Sequence, residues 1–416
     1  MNKEHTLIPE LRFPEFKNDD DWKAKPLEKI CTLVRGPFGG ALKKEIFVND
    51  GFAVYEQSHA IYSEFGSFRY RINEEKYKEL KRFSVKPGDL IMSCSGTMGK
   101  FAMIPTNYEQ GVINQALLKL TVKKGYDNSF VKISLETEEN QNKLLSQSAG
   151  GAIKNVVAVS QIRKLELVIP NSLEQQKIAN CISFLENAID AHNQKLDLLN
   201  DHKNGLLQNL FPQQGETKPR HRFPEFENDE DWRLKKLGDK EVAFFVNEKV
   251  AINELNLESY ISTENMLSGF RGISNASKLP STGNFTKFKS GDILISNIRP
   301  YLNKVWKANK SGGASNDVLV FRSGSDVSCD FLEFILKNDI FINYVMKSAK
   351  GVKMPRGDKE AMLNYIVFIP SRREQEKIAL CLSTLDELIS AQIDKIDQLK
   401  LHKRGLIQSL FPKMND

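Results

Sequence analysis

The chain has 416 residues, 40% hydrophobic and 27% charged, with a formal net charge of +6. That length leaves room for two or three domains with full cores, and no run of about 18 apolar residues is present to span a membrane. Five scattered cysteines (Cys31, Cys94, Cys181, Cys329, Cys381) form no CxxC pair and no histidine cluster accompanies them, which excludes a disulfide framework and a zinc site of the usual spacing.

Near its start the chain carries a box, RFPEFKNDDDW, from Arg12 to Trp22. Residues 1–170 read as a globular head. Short apolar runs, GFAVYEQ, GDLIMS, FAMIP, ALLKLTV and LELVIP, separated by PG, GD and GG turns, predict strands. The stretch SFVKISLETEENQNKLLSQS predicts helix late in the head. The whole reads as an α+β domain with a small mixed or antiparallel sheet.

Residues 171–212 predict one long helix. Pro170, Asn171 and Ser172 mark its start, Glu174 sits in the first turn, where the helix dipole favours an acid, and Pro212 stops it. Ile178, Ile182, Leu185, Ile189, His192, Leu196, Leu199, Lys203, Leu206 and Leu210 alternate spacings of four and three, a heptad seam. Residues 213–221 read as a linker.

Everything then recurs. RFPEFENDEDW, from Arg222 to Trp232, opens a second head over 222–370, with the runs LESYIST, GDILIS, DVLVFRS and YIVFIP and the helical stretch DFLEFILKNDIFINYVMKSAK. Residues 371–416 repeat the helix, with the seam Ile378, Leu382, Leu385, Ile389, Gln392, Ile396, Leu399, Lys403, Leu406 and Leu410. IPNSLEQQKIA answers IPSRREQEKIA, and NGLLQNLFP answers RGLIQSLFP. The helices match without gaps at about half their positions, whereas the heads match hardly at all outside GDLIMS and GDILIS. A shared scaffold carrying two different reading heads leaves that record. Each seam would expose its apolar stripe alone, so the helices are expected to pair with each other as an antiparallel coiled coil, with a head at either end. The seam turns polar at His192 with Gln392 and at Lys203 with Lys403, positions expected to fix register.

The two helical segments carry ten basic and eleven acidic side chains, so the positive excess lies in the heads. That is the footprint of a nucleic-acid reader. Side chains with planar or phosphate-binding groups cluster at the predicted strand ends. In the first head these are Gly39, Lys43, Lys44, Gln57, Ser58, His59, Tyr62, Arg69, Tyr70, Ser93, Ser95, Lys100, Asn114, Gln115 and Lys154. In the second they are Ser262, Thr263, Asn265, Ser296, Asn297, Arg299, Lys304, Ser315, Asn316, Lys353 and Arg356. Asn and Gln pair bidentately with adenine and Arg with guanine, while Ser, Lys and glycine-loop amides suit phosphates. Catalytic motifs fail. SGTMGK, Ser95 to Lys100, has Cys94 where a phosphate loop needs glycine and Phe101 after the lysine. No [DNS]PP[YFW] box, nuclease cluster or nucleophile set stands out, and no catalytic or metal-binding residue is assigned.

Taken together, head, long helix, head and matching helix resemble the specificity subunit of a type I restriction–modification system across essentially the whole chain. The IP-x(3)-EQ-x-KIA helix openings, the GLLQNLFP and GLIQSLFP ends, the GDLIMS and GDILIS strands and YISTENM carry the resemblance. It implies two target recognition domains, each reading one half of an asymmetric bipartite site in double-stranded DNA, and helices that set the unread gap. It implies two modification subunits docked on the helices, bringing S-adenosylmethionine for adenine methylation, and restriction subunits using ATP and Mg. It implies no cofactor and no catalysis on this chain, no membrane and a cytoplasmic location. The competing readings are a fragment of a single-chain restriction-methylation enzyme and a coiled-coil scaffold with two modules that bind something other than DNA.

Overall fold

The computed structural model describes residues 7–38, 40–146, 159–213 and 216–412. The chain divides into two compact units, one formed by residues 1–192 with 395–416 and the other by 193–394. The units cut across the order of the sequence, because each takes the start of one long helix and the end of the other.

The first unit carries β1 (Lys23–Pro26), β2 (Cys31–Arg35), β3 (Phe47–Val48), β4 (Phe52–Tyr55), β5 (Arg71–Ile72), β6 (Leu90–Ser93), β7 (Phe101–Met103), β8 (Gly111–Ile113), β9 (Leu117–Val122) and β10 (Glu166–Ile169). An antiparallel sheet runs β2-β9-β6-β7, and a mixed sheet runs β3-β5-β4-β8 with β4 and β8 parallel. β1 and β10 pair as a separate ribbon. The apolar run in GDLIMS follows from its place. Leu90 and Met92 face the core shared with the head's helices, while Ile91 faces the core against the second sheet, so every residue of β6 is buried.

The second unit repeats the plan with β11 (Arg233–Lys236), β12 (Ala243–Phe245), β13 (Lys249–Ala251), β14 (Tyr260–Ile261), β15 (Asn284–Phe288), β16 (Ile293–Ser296), β17 (Val305–Lys307), β18 (Gly312–Ala314), β19 (Val318–Ser323) and β20 (Ile366–Ile369). Its antiparallel sheet is β12-β19-β16-β17. The parallel pair recurs as β14 and β18, but here the mixed sheet grows outward from β18, in the order β13-β15-β18-β14. Among the described residues, the single small sheet expected per head is thus two four-stranded sheets and a ribbon. Each late helical stretch is also two helices, Asn128–Glu136 with Glu138–Ser146 and Cys329–Lys337 with Asp339–Ser348. The extended backbone of Thr137 and Asn338 breaks them.

The long helices span Ser172–Asn209 and Arg372–Leu410, 38 and 39 residues, each about 57 Å at 1.5 Å per residue. Every apolar seam position (Ile178, Ile182, Leu185, Ile189, Leu196, Leu199, and Ile378, Leu382, Leu385, Ile389, Ile396, Leu399) is buried or half-buried. Within the first unit, Ile178 and Ile182 share a core with Leu406, Ile407, Leu410 and Phe411, and Glu186 pairs with Lys403. Advancing along one helix therefore means retreating along the other, and the pairing is antiparallel. The second unit repeats it, with Ile378 and Leu382 beside Leu206 and Leu210, and Asp386 paired with Lys203.

The repeated boxes lock helix to head. Arg12 makes two 2.8 Å hydrogen bonds to the carboxylate of Glu174, and Arg222 makes the same two to Glu374. Beside them the Gln175 side-chain oxygen accepts from the Asp127 amide at 3.0 Å, as Gln375 does from Ser328 at 2.9 Å. The glutamate in the first turn thus answers the box arginine as well as the helix dipole. The LFP ends are anchors too. Phe411 stacks on Phe130 at 5.3 Å and meets Trp22 edge-on at 5.9 Å, and Phe211 stacks on Phe331 at 5.3 Å and meets Trp232 at 6.4 Å.

Candidate nucleic-acid interface

In each unit the ends of the two sheets bring the same loops together. In the first, the Asn114 amide donates to the Tyr55 carbonyl at 2.9 Å, and the Cys94 amide donates to Ala116 at 2.8 Å. These bonds join the helix Gln57–Tyr62, loop 94–99 and loop 114–116 into one rim. The Gln57 side-chain amide holds the carbonyl of Ser95, and the Ser95 hydroxyl donates back to Gln57 Oε1 at 3.0 Å. In the second unit the Ser315 amide donates to Ile261 and the Asn297 amide to Asp317, both at 2.8 Å. A further loop joins this rim: Arg299 donates its amide to Pro355 at 2.8 Å, and Gly357 to Asn297 at 3.1 Å.

The predicted side chains divide sharply by exposure. Lys43, Lys44, Ser58, Tyr62, Arg69, Lys100 and Gln115 stand exposed in the first unit, and Arg299, Asn316, Lys353 and Arg356 in the second. The Arg69 guanidinium lies over the ring of Tyr70, 4.9 Å from its centroid. Arg356 pairs with Asp317 at 3.1 Å, and Lys304 Nζ donates to the Thr263 carbonyl at 2.7 Å. Ser95, Asn114, Ser262, Thr263 and Ser315 are half-buried, and Asn114 accepts from the Ala116 amide at 3.0 Å.

Five predicted readers lie in the interior, which corrects their assignment to a contact surface. His59 is buried, its Nδ1 accepting from the Glu56 amide at 2.9 Å and its ring stacked on Phe68 at 4.7 Å. Ser93 Oγ accepts from the Lys100 amide at 3.0 Å, and Ser296 Oγ donates to Ile298 at 2.9 Å. Asn265 ties its own loop, accepting from the Ser262 amide at 2.6 Å and donating to Tyr260 and Ser274 at 3.0 Å. Asn297 is buried with no partner for its Oδ1 among the described residues. Short polar side chains bond their own turns as readily as a base. Gly39 and Lys154 lie outside the described residues.

Tyr301, Val352 and Met354, which no sequence pattern singles out, are also exposed on the second rim. Neither buried thiol is a neutral-pH nucleophile, since burial pushes Cys31 up to about 12 and Cys94 up to about 11. Among the described residues no group of three or more His, Cys, Asp or Glu could hold a metal ion. Nor is any described helix long and apolar enough to cross a membrane.

A family model described as "Type I restriction modification DNA specificity domain" matches residues 19–201 and 230–401. The duplicated units therefore define a class of chain that carries a DNA specificity domain twice. The chain belongs to the type I restriction–modification DNA specificity family. It is 24% identical to the type I restriction enzyme MjaVIII specificity subunit of Methanocaldococcus jannaschii over 96% of this chain and 93% of that one. It is 22% identical to the putative MjaX specificity subunit of the same organism over 94% and 93%. Its fold is shared with the type I restriction-modification S subunit from M. genitalium (TM-score 0.63, 16% identity, covering 98% of this chain and all of that one). It is shared also with a chain from a structure of complex assembly and conformational transition of the type I R-M system (TM-score 0.55, 15% identity, 94% and 97% covered).

Proposed function

We propose that this chain is the non-catalytic DNA-reading subunit of a type I restriction–modification complex, each rim reading one half of an asymmetric bipartite site. The observation that carries this is the pair of rims. They sit on equivalent strand ends and are tied by equivalent backbone bonds, from Asn114 to Tyr55 and from Ser315 to Ile261. Yet their side chains differ at nearly every loop position, and residues 94–100 between β6 and β7 answer to one residue more, 297–304, between β16 and β17. In the first unit the exposed readers are Lys43, Lys44, Ser58, Tyr62, Arg69, Lys100 and Gln115, and in the second Arg299, Asn316, Lys353 and Arg356. The functional segments are 1–170 and 222–370 as target recognition domains and 171–212 and 371–416 as spacer helices that set the unread gap.

The partners are two modification subunits, which supply S-adenosylmethionine and flip and methylate adenine, with restriction subunits supplying ATP-driven cleavage. Leu173, Phe184 and Leu198 on the first long helix and Leu380, Leu388 and Leu401 on the second are exposed apolar side chains off the seam. They support docking of the modification subunits on the helices. Such a complex acts on DNA in the cytoplasm.

Adenine methylation mapped genome-wide, in cells making the modification subunit with and without this chain, tests the reading. Methylation at one bipartite motif with a fixed gap, present only with the chain, is expected. Methylation unchanged by removing the chain overturns it in favour of the scaffold.

A further inference from the structure

The loop joining β16 to β17 holds two non-glycine residues in the left-handed region, Arg299 at φ 51° and Asn303 at φ 53°. The equivalent loop of the first unit, between β6 and β7, places Gly96 at φ 60° and Gly99 at φ 74°. The loops correspond closely. Ser93 and Ser296 end the first strand, and each donates its amide across the loop, to the carbonyl of Lys100 at 2.9 Å and of Lys304 at 3.0 Å. The first unit therefore turns the same two corners with residues free of Cβ strain. Asn visits this region with little penalty, but Arg does not. Arg299 also precedes Pro300, where extended backbone is the ordinary choice.

The second unit keeps a strained arginine where glycine would serve the fold, and it holds that corner firmly. The Arg299 amide donates to Pro355 at 2.8 Å, its carbonyl accepts from Leu302 at 2.9 Å, and Ile298 bridges to Arg356. Asn297 and Asn303, on either side, keep a buried Oδ1 with no partner among the described residues. The loop thus spends folding stability for something other than folding.

Its product is a directed side chain. Arg299 is exposed, and among the described residues its guanidinium makes no hydrogen bond or ion pair, whereas Arg356 is bound to Asp317 and Lys304 to Thr263. A phosphate needs only nearby positive charge, which a flexible lysine on a relaxed loop supplies. Phosphate contacts position a protein without reading sequence, whereas reading a base edge needs the planar fork held where it meets two acceptors at a set place in the groove.

We infer that Arg299 is a specificity-determining residue that reads a guanine, through O6 and N7, in the half-site recognised by the second unit. This rests on the DNA-reading function proposed above. The test is methylation mapping with the full chain and its modification subunit, comparing wild type, Arg299→Gly, Arg299→Lys and Asn303→Gly, with thermal unfolding of each chain. Arg299→Gly is expected to unfold at the same or a higher temperature. It should keep the gap and the half-site of the first unit while one G·C position of the other half-site becomes degenerate, discrimination there falling about tenfold to a hundredfold. Arg299→Lys keeps the charge and backbone and is expected to degenerate at the same position, which decides the matter if Arg299→Gly does not fold. Asn303→Gly is expected to leave the motif intact. A motif unchanged in both Arg299 variants, full rescue by lysine, or loss at every position at once overturns base reading by Arg299. Absence of any bipartite motif with the wild-type chain instead overturns the function on which the inference rests.

Discussion

The two units compare like two printings of one page with different words in the margin. Their scaffolds agree to the hydrogen bond: Arg12 on Glu174 and Arg222 on Glu374, Gln175 on Asp127 and Gln375 on Ser328. Even the GD turns agree, Asp89 Oδ2 accepting from the Lys86 amide at 3.0 Å and Asp292 Oδ2 from Lys289 at 2.9 Å. The rims and the mixed sheets depart from each other. The sheet grows from β4 in one unit and from β18 in the other, and the β6–β7 and β16–β17 loops turn on glycines in one and on arginine and asparagine in the other. Sequence constancy thus follows the contacts that hold the long helices to the heads, and divergence follows the loops. Reading surface can change because nothing in the scaffold leans on it.

The sharpest break of that comparison is at the buried ion pairs. Arg12 leaves 6% of its side chain exposed and Glu174 1%, against 13% and 1% for Arg222 and Glu374. Arg12→Ala strands a buried carboxylate and is expected to destabilise the chain by about 3–5 kcal/mol. Arg222→Ala should cost less, because water reaches that pair more easily. Denaturant unfolding of the full chain measures both. Removing both charges together, as Arg12→Met with Glu174→Gln, is expected to restore most of the loss. Equal losses for the two arginines, or a loss below about 1 kcal/mol for Arg12, would show that the pairs are not the locks the geometry makes them.

Much of this scaffold was legible in the sequence. The repeat and the heptad seam are local patterns, and a seam spaced by fours and threes has one solution, a covered helical face. The purpose of the boxes was not legible, because the Arg12 pair joins residues 162 positions apart and the Arg222 pair residues 152 apart. Nor was the second sheet in each head: strands of two or three residues such as β3, β5 and β14 leave no alternation to read. At the site, the rim as a group was legible and its individual readers were not. His59, Ser93 and Asn265 have the hydrogen-bonding groups that suit a base, yet each satisfies a turn of its own backbone. Arg299 stood among the candidates on residue type alone. What singles it out is a dihedral angle, and only the glycines of the other unit show that the angle is a choice.

The aromatic anchors extend the comparison to the helix ends. Phe411→Ala is expected to cost about 3 kcal/mol and Phe211→Ala about the same, because both rings stack at 5.3 Å on a head phenylalanine. Hydrogen exchange distinguishes loss of the anchor from general weakening. In Phe411→Ala, protection should fall first in the last turns of the second long helix, and in Phe211→Ala in those of the first. Uniform loss across a head would mean that the phenylalanines are ordinary core residues.

The seam lysines carry the smallest expected effect and the finest distinction. Lys203 and Lys403 occupy equivalent positions, and both turn out to pair across the seam, with Asp386 and Glu186 respectively. Their surroundings differ. Asp386 has a second cation, Lys337 Nζ at 3.6 Å, whereas Glu186 has only Lys403 in ion-pair contact among the described residues. Each single change to alanine is expected to cost about 1 kcal/mol or less, since both pairs are partly wet. The double change Lys203→Ala with Lys337→Ala should cost more than the sum of its singles, because each lysine shields the loss of the other. Lys403→Ala, with no second cation behind it, should show its full effect at once, and about 1 M salt should shrink it, the screening length there being about 3 Å. Strict additivity in the first case would place Lys337 outside the seam's electrostatics and leave the two lysines equivalent in energy as well as in position.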